Sequence, residues 1–272
     1  MKRWFIYLLA IVGIALVASK TADRFKFRNL KNSNFATGER YKYLAHYSFL
    51  NAGEAVITMD NDIHTVNNRP CYKVDVEGKS IGTFGLFMTI NDLWRSYVDT
   101  AAVTTHEFYR NIEEGKYKLE ETTKFDHHAG KGKLKQVKGD HKEDEEFEFP
   151  EYPQDIISGY YYLRTIEYDN MEAGEIVKMN AVYEDTVYNF QIKYLGKEVV
   201  KTKFGKINAF AMSPIMPDND LFDGGDSITF WVSDDENRVP LKIRAKMFVG
   251  AVEVELIEYS GTKGEFNFAD SD

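Results

Sequence analysis

The chain predicts a mainly β protein: one large, strongly curved antiparallel sheet, a half-barrel or open barrel, with a single short helix packed on it. Three observations predict this. Apolar and polar residues alternate with period two in run after run; the runs are rich in Val, Ile, Tyr, Phe and Thr; and turn-forming residues separate them. Aromatic residues make up 14% of the chain, and a sheet that curls around an apolar interior needs many rings on its concave face.

Residues 1–22 come first and differ from everything after them. Met1-Lys2-Arg3 precedes an apolar run from Trp4 to Ala18, short of the roughly 20 apolar residues that span a bilayer, so the segment predicts a signal peptide or an uncleaved anchor. Val17-Ala18-Ser19 supplies small residues for cleavage, although Lys20 follows at once. A lipoprotein would need a cysteine directly after the apolar run, where Ser19 and Lys20 stand. The one cysteine is Cys71, so no intramolecular disulfide forms and the core must hold the fold alone.

Residues 38–260 read as a single β domain. Tyr41, Tyr43, Ala45, Tyr47 and Phe49 alternate with polar residues, Asn51-Ala52-Gly53 offers turn chemistry, and Ala55 to Met59 continues as the second strand of a hairpin. The same period recurs at Tyr72, Val74 and Val76, from Tyr117 to Phe125, from Tyr188 to Tyr194, at Ile228, Phe230 and Val232, and from Leu241 to Met247 and Val252 to Leu256. One segment breaks it. From Asp155 to Thr165 the spacing of Ile156, Ile157, Tyr160, Tyr161 and Leu163 suits a helical face, with Asp155 placed to cap it. The stretch Asp126–Glu146, loaded with Gly, Lys, Asp and Glu, predicts an exposed hairpin tip or mobile loop, and residues 261–272 a flexible tail.

The formal charge is −9, which argues against nucleic acid as a partner, because phosphate binding draws on clustered Lys and Arg. Catalytic signatures are missing: there is no Gly-x-Ser-x-Gly, no His-Glu-x-x-His, and no activating surroundings for Cys71. Among the histidines, Asp126, His127 and His128 with His141 form the best local cluster, but adjacent histidines in a strand face opposite ways and no second pair stands at ligand spacing, so they read as solvated loop residues. His46, His64 and His106 read as structural. Asp218, Asp220, Asp223 and Asp226 lack the spaced Glu of a calcium loop. No catalytic, cofactor or metal residue is assigned, and no cofactor is expected. Asp92, Arg95 and Asp99 are the one central polar cluster that hydrolytic chemistry would need.

The run from Phe230 through Trp231, Ser233, Asp234, Asp235, Asn237 and Arg238 to Pro240, followed by Val249-Gly250-Ala251-Val252, resembles the closing signature of the exported bacterial family known as domain of unknown function 3108. Earlier pieces agree in order: Gly38-Glu39-Arg40-Tyr41, Ala52-Gly53-Glu54-Ala55, Arg95-Ser96-Tyr97, Glu114-Gly115-Lys116-Tyr117, and Asp155 with Ser158, Tyr161 and Arg164. The resemblance implies an exported protein of the periplasm with a strongly curved sheet, reminiscent of lipoprotein carriers (LolA-like) and lipocalin-like barrels, and it carries over no catalytic residue. Trp231, Asp234, Asp235, Arg238 and Pro240 read as architecture: a tight turn that Arg238 ties to a carboxylate.

The expectation is therefore a non-enzymatic protein of the cell envelope that holds an apolar ligand, a lipid or a lipidated partner in the cavity of its sheet. Two alternatives stand beside it. One is a surface interaction or scaffold protein with a solid core, engaging an envelope protein partner; the other is an envelope hydrolase. Membrane contact is expected only through the N-terminal segment, if that segment is retained.

Overall fold

Period-two alternation builds one antiparallel sheet across the residues described by the computed structural model, 25–215, 227–247 and 250–270. Residues 1–22, expected as a signal peptide or anchor, and the Asp218–Asp226 run lie outside the described residues. The strands are β1 (Arg40–Tyr47), β2 (Leu50–Val66), β3 (Arg69–Ser80), β4 (Asn91–Asp99), β5 (Thr105–Glu114), β6 (Tyr117–Asp126) and β7 (Lys131–Lys138). They continue with β8 (His141–Glu148), β9 (Ile176–Tyr183), β10 (Thr186–Thr202), β11 (Gly205–Pro214), β12 (Ile228–Ser233), β13 (Pro240–Lys246) and β14 (Ala251–Ser260). Their spatial order runs from β8 down to β1, then from β14 down to β9, so the sheet is open with β8 and β9 at its edges. Charge blunts the β8 edge, whose sequence is His-Lys-Glu-Asp-Glu-Glu-Phe-Glu.

The first hairpin forms as expected, but its turn lies elsewhere. Ser48, at φ 55°, turns the chain, while Asn51 to Gly53 are already inside β2, with Gly53 opposite Ala45. The segment expected as an exposed hairpin tip or mobile loop, Asp126–Glu146, is mostly the β7–β8 hairpin, paired along both strands. Its charged residues alternate with inward ones, and Gly132 leaves room for the ring of Phe147 to lie on β7.

The predicted helix is α2 (Ile156–Leu163), capped by Asp155, whose carboxylate accepts the backbone N–H groups of Ile157 and Ser158 at 2.8 and 2.7 Å. A second helix, α1 (Gly82–Phe87), bridges β3 and β4 and was not expected. Ile157 and Tyr161 of α2 enter a core with Met59, Val74, Val98, Phe108 and Phe125, which places the helix on the concave face of the sheet. Each such side chain, taken out of water, contributes about 1.5–3 kcal/mol.

Because neighbouring strands are antiparallel, the hairpin turns alternate between two rims. One rim carries the β2–β3, β4–β5, β6–β7 and β12–β13 turns and is closed by residues 25–39 and 261–270. The C-terminal stretch is therefore not a flexible tail over its described part. Phe266 is buried, the main chain of Gly264 exchanges hydrogen bonds with the Asn237 side chain, and Phe268 bridges Ile207. The other rim, the bare one, carries the β1–β2 and β5–β6 turns and α1, and no terminal stretch among the described residues covers it.

Candidate functional site

At the closed rim the most deeply buried charges are paired. Arg164, just past the last turn of α2, is 1% exposed at its side chain and donates to both oxygens of the fully buried Glu39 at 2.7 and 2.9 Å. It also donates to the carbonyls of Asn237 and Asn34, and Phe35 and Tyr161 lie at 5.2 and 5.3 Å from its guanidinium. Such a pair knits helix, first strand and the β12–β13 turn into one unit.

The same turn holds the family-motif residues. Asp235 accepts the Ser233 hydroxyl and the Asn237 N–H at 2.9 Å, and its second oxygen accepts the N–H of Asn267. Asp234 pairs with Lys197 at 2.9 Å, and Arg238 reaches Glu167 at 3.5 Å. Trp231 donates its indole N–H to Glu198, and Pro240 opens β13. These contacts are those of a fixed turn.

Asp92, Arg95 and Asp99 do not converge. Arg95 forms a fork with Asp75, its cross-strand partner on the convex face, at 2.6 and 2.9 Å. Asp99 lies buried at the closed rim, taking two bonds from Arg69 at 2.7 and 3.0 Å, one from His106 at 3.1 Å, and the N–H groups of Ala101 and Ala102. Burial alone would raise its carboxyl, but the bonds from His106, Arg69 and the backbone outweigh burial and hold it well below its ordinary value. Asp92 alone faces the concave side.

A cleft of about 490 Å³ opens beside Asp99, between Phe27, Arg69, His106, Phe125 and His127. His127 is not a solvated loop residue as expected: it is 5% exposed, packed between Phe25, Phe27 and His106, and its Nε2 donates to the carbonyl of Thr105 at 2.8 Å. Burial, aided by His106, lowers it to about 4, so it is neutral at pH 7. The only sulfur here is Cys71, opposite Asp99 on β3, and burial pushes its thiol up to about 12. A thiol so protonated is no nucleophile.

The second cavity differs in kind. It is a groove of about 350 Å³ between the concave face of β2, β3 and β4 and the start of α2, lined by Ile57, Val76, Gly78, Asp92, Trp94, Ile156, Ile157 and Tyr160. Register explains the lining: Ile57 lies opposite Val76, Val76 opposite Trp94, and Gly78 opposite Asp92, so all five share one face. Gly78 deepens the groove by contributing no side chain. Asp92 is its one charged group, with Oδ1 accepting the N–H of Glu113 at 2.9 Å, and burial raises its carboxyl.

Sequence reasoning missed two further features. At the bare rim, Phe49, Leu86 and Phe87 are 87%, 85% and 86% exposed, beside the half-exposed Leu50, Phe84 and Met88. Signals existed: Phe84 to Met88 is an apolar stretch fitting neither period. His46 of β1 meets Glu253 and Glu255 of β14 in a group of potential metal ligands. Lys242 already bridges both carboxylates at 2.6 and 2.7 Å, so the group is a cross-strand ion network. No local spacing could have brought residues so distant in sequence together.

With this geometry in place, comparison with known proteins adds the family. A profile described as protein of unknown function, DUF3108, matches residues 42–257. The chain belongs to that family. The DUF3108 fold is similar to that of a β-barrel-like protein of domain of unknown function DUF1849 from Brucella abortus, with a TM-score of 0.53 at 9% identity over 86% of this chain and 99% of that one. A Bacteroides fragilis protein with a YmcC-like fold matches with a TM-score of 0.31 at 8% identity, over 86% of this chain and all of the other. At such identities the likeness concerns the fold alone. No curated protein matches.

Proposed function

We propose that this DUF3108 protein is exported to the cell envelope, most simply the periplasm, and there binds an apolar ligand, a lipid or the acyl chain of a lipidated partner, without performing chemistry on it. The observation that carries this reading is the groove between α2 and β2–β4: its volume falls in the range of small-molecule sites, and its walls are apolar apart from one carboxyl. A filled interior would have left no such space. Export draws on the charged and apolar leader of the sequence. The hydrolase alternative draws no support from residues 92, 95 and 99, which face three different surroundings, or from the protonated Cys71.

Titration of the purified protein with a fluorescent apolar probe tests the reading. The wild type should bind it saturably at one site, and Gly78→Leu, which fills the groove, should weaken binding at least about tenfold. A Cβ at Gly78 meets only the Cβ of Asp92, at 3.9 Å, so the variant should still fold. Absence of saturable binding to the wild type would refute the proposal. A second reading, a surface-interaction protein, is favoured by the apolar side chains of the bare rim, since exposed clusters of this kind mark contact sites.

A further inference from the structure

We infer that the groove selects ligands by head group: it accepts an amphiphile whose head donates a hydrogen bond to Asp92, an amine, amide or hydroxyl, and rejects a free carboxylate. This inference rests on the proposed apolar-ligand reading and adds the chemistry of the ligand's polar end.

Three observations carry it. First, Asp92 is the only charged side chain among the residues lining the groove, and the N–H of Glu113 goes to its Oδ1, so a carboxylate there has further acceptor capacity on Oδ2. An acceptor in an apolar site rewards a donor and penalises another acceptor, because a buried polar group left unpaired costs more than its bond returns. Second, none of the described residues that line the groove is a cation. Arg110, directly across from Trp94 on the same face, is held at 2.7 Å by Glu121 and at 2.7 Å by Glu184. The two carboxylates neutralise the guanidinium and the Tyr183 hydroxyl accepts from its Nη1, so among its nitrogens only Nε is left unpaired. Third, the shape of the groove separates tail from head. Ile57, Val76, Trp94, Ile156 and Ile157 form the apolar length, and Asp92 lies opposite Gly78, where the missing side chain gives a head group room to reach it. Burial raises the Asp92 carboxyl, which agrees with its weak solvation and with a demand for a partner.

The test uses dodecylamine, dodecanol and dodecanoate, which share one chain, competing against a fluorescent apolar probe at pH 8 with wild type and Asp92→Asn. Asn keeps an acceptor for the Glu113 N–H, so the strand pairing should survive, as a thermal melt would verify. The wild type is expected to bind dodecylamine at least about tenfold more tightly than dodecanoate, with dodecanol between them. In Asp92→Asn the difference should collapse to within about threefold while dodecanol affinity is retained. Equal affinities in the wild type, or a preference that survives in Asp92→Asn, would overturn the head-group rule and leave the groove intact as an apolar site. If none of the three displaces the probe, or the probe itself does not bind, the groove reading falls and this inference with it.

Discussion

The two rims of the sheet are built on opposite principles. At the closed rim, buried charges are paired, Arg164 with Glu39 and Asp99 with Arg69 and His106, and the half-buried Asp235 ties the turn to the C-terminal stretch. At the bare rim, large apolar side chains face outward and, among the described residues, the backbone is held by the hairpins and by α1, whose Ile81 cap donates to Ala52. The difference teaches where stability and where recognition reside. A buried ion network penalises any rearrangement, so it fixes α2 against the concave face. Exposed Phe and Leu contribute little to folding, and exposed clusters of this kind are a common mark of contact surfaces.

Several substitutions would break or sharpen this contrast. The largest effect should come from Arg164→Ala, which strands Glu39 in the core; a loss of about 3–5 kcal/mol is expected in urea unfolding. Replacing both partners with apolar residues, as in Glu39→Leu with Arg164→Met, should recover much of it. A loss no larger than that of a surface change would mean that the network does not fix the rim.

Next comes pH. The folded-state value of His127 lies at about 4, below the ordinary 6.5. The unfolded chain therefore binds the proton first, and stability present above pH 6.5 is lost as pH falls toward 4, by about 3 kcal/mol over the interval. Asp99, held low, adds its own loss at lower pH, as the unfolded carboxylates protonate below about 4. His127→Gln should flatten the slope between pH 6.5 and 4.5 in denaturant titrations, and an unchanged slope would assign it to other groups.

Smaller still should be the stability effect of Gly78→Leu, within about 1 kcal/mol, since a strand glycine gains rigidity when replaced and the space is open. The smallest belongs to Leu86→Ser with Phe87→Ser, within about 0.5 kcal/mol in unfolding and without effect on probe affinity. A marked destabilisation would mean that α1 packs more firmly than its exposure indicates.

Much of the architecture was legible in the chain. Alternation at Tyr41–Tyr47 and Leu241–Leu256 marked strands with Tyr41, Tyr43, Leu241 and Leu256 buried, although Phe49, read into the first run, lies exposed in the turn. Asp155 with the Ile156–Leu163 spacing marked α2 and its cap. The local part of the family-motif turn was legible too, because Ser233, Asp235 and Asn237 bond to one another, whereas the ties of Asp234 to Lys197 and of Asp235 and Asn237 to the C-terminal stretch were not. What lay hidden was long-range. Arg164 and Glu39 stand 125 residues apart, and nothing local says that they meet. The groove was legible only as an excess of aromatics, since its lining comes from register across β2, β3 and β4. Asp92, Arg95 and Asp99 looked like a cluster because they are near in sequence, but strand alternation and the rim turn send them apart. The order of residues 261–270 was missed because Phe266 and Phe268 carry no period.

The central claim is that the concave face holds an apolar molecule, and native mass spectrometry of the protein taken from its own envelope fraction, with organic extraction of whatever accompanies it, tests that claim most directly. The account predicts a stoichiometric adduct of one amphiphile, lost in Gly78→Leu. A clean apo mass, together with failure of every apolar probe to bind, would contradict it and leave the bare rim as the working surface of the molecule.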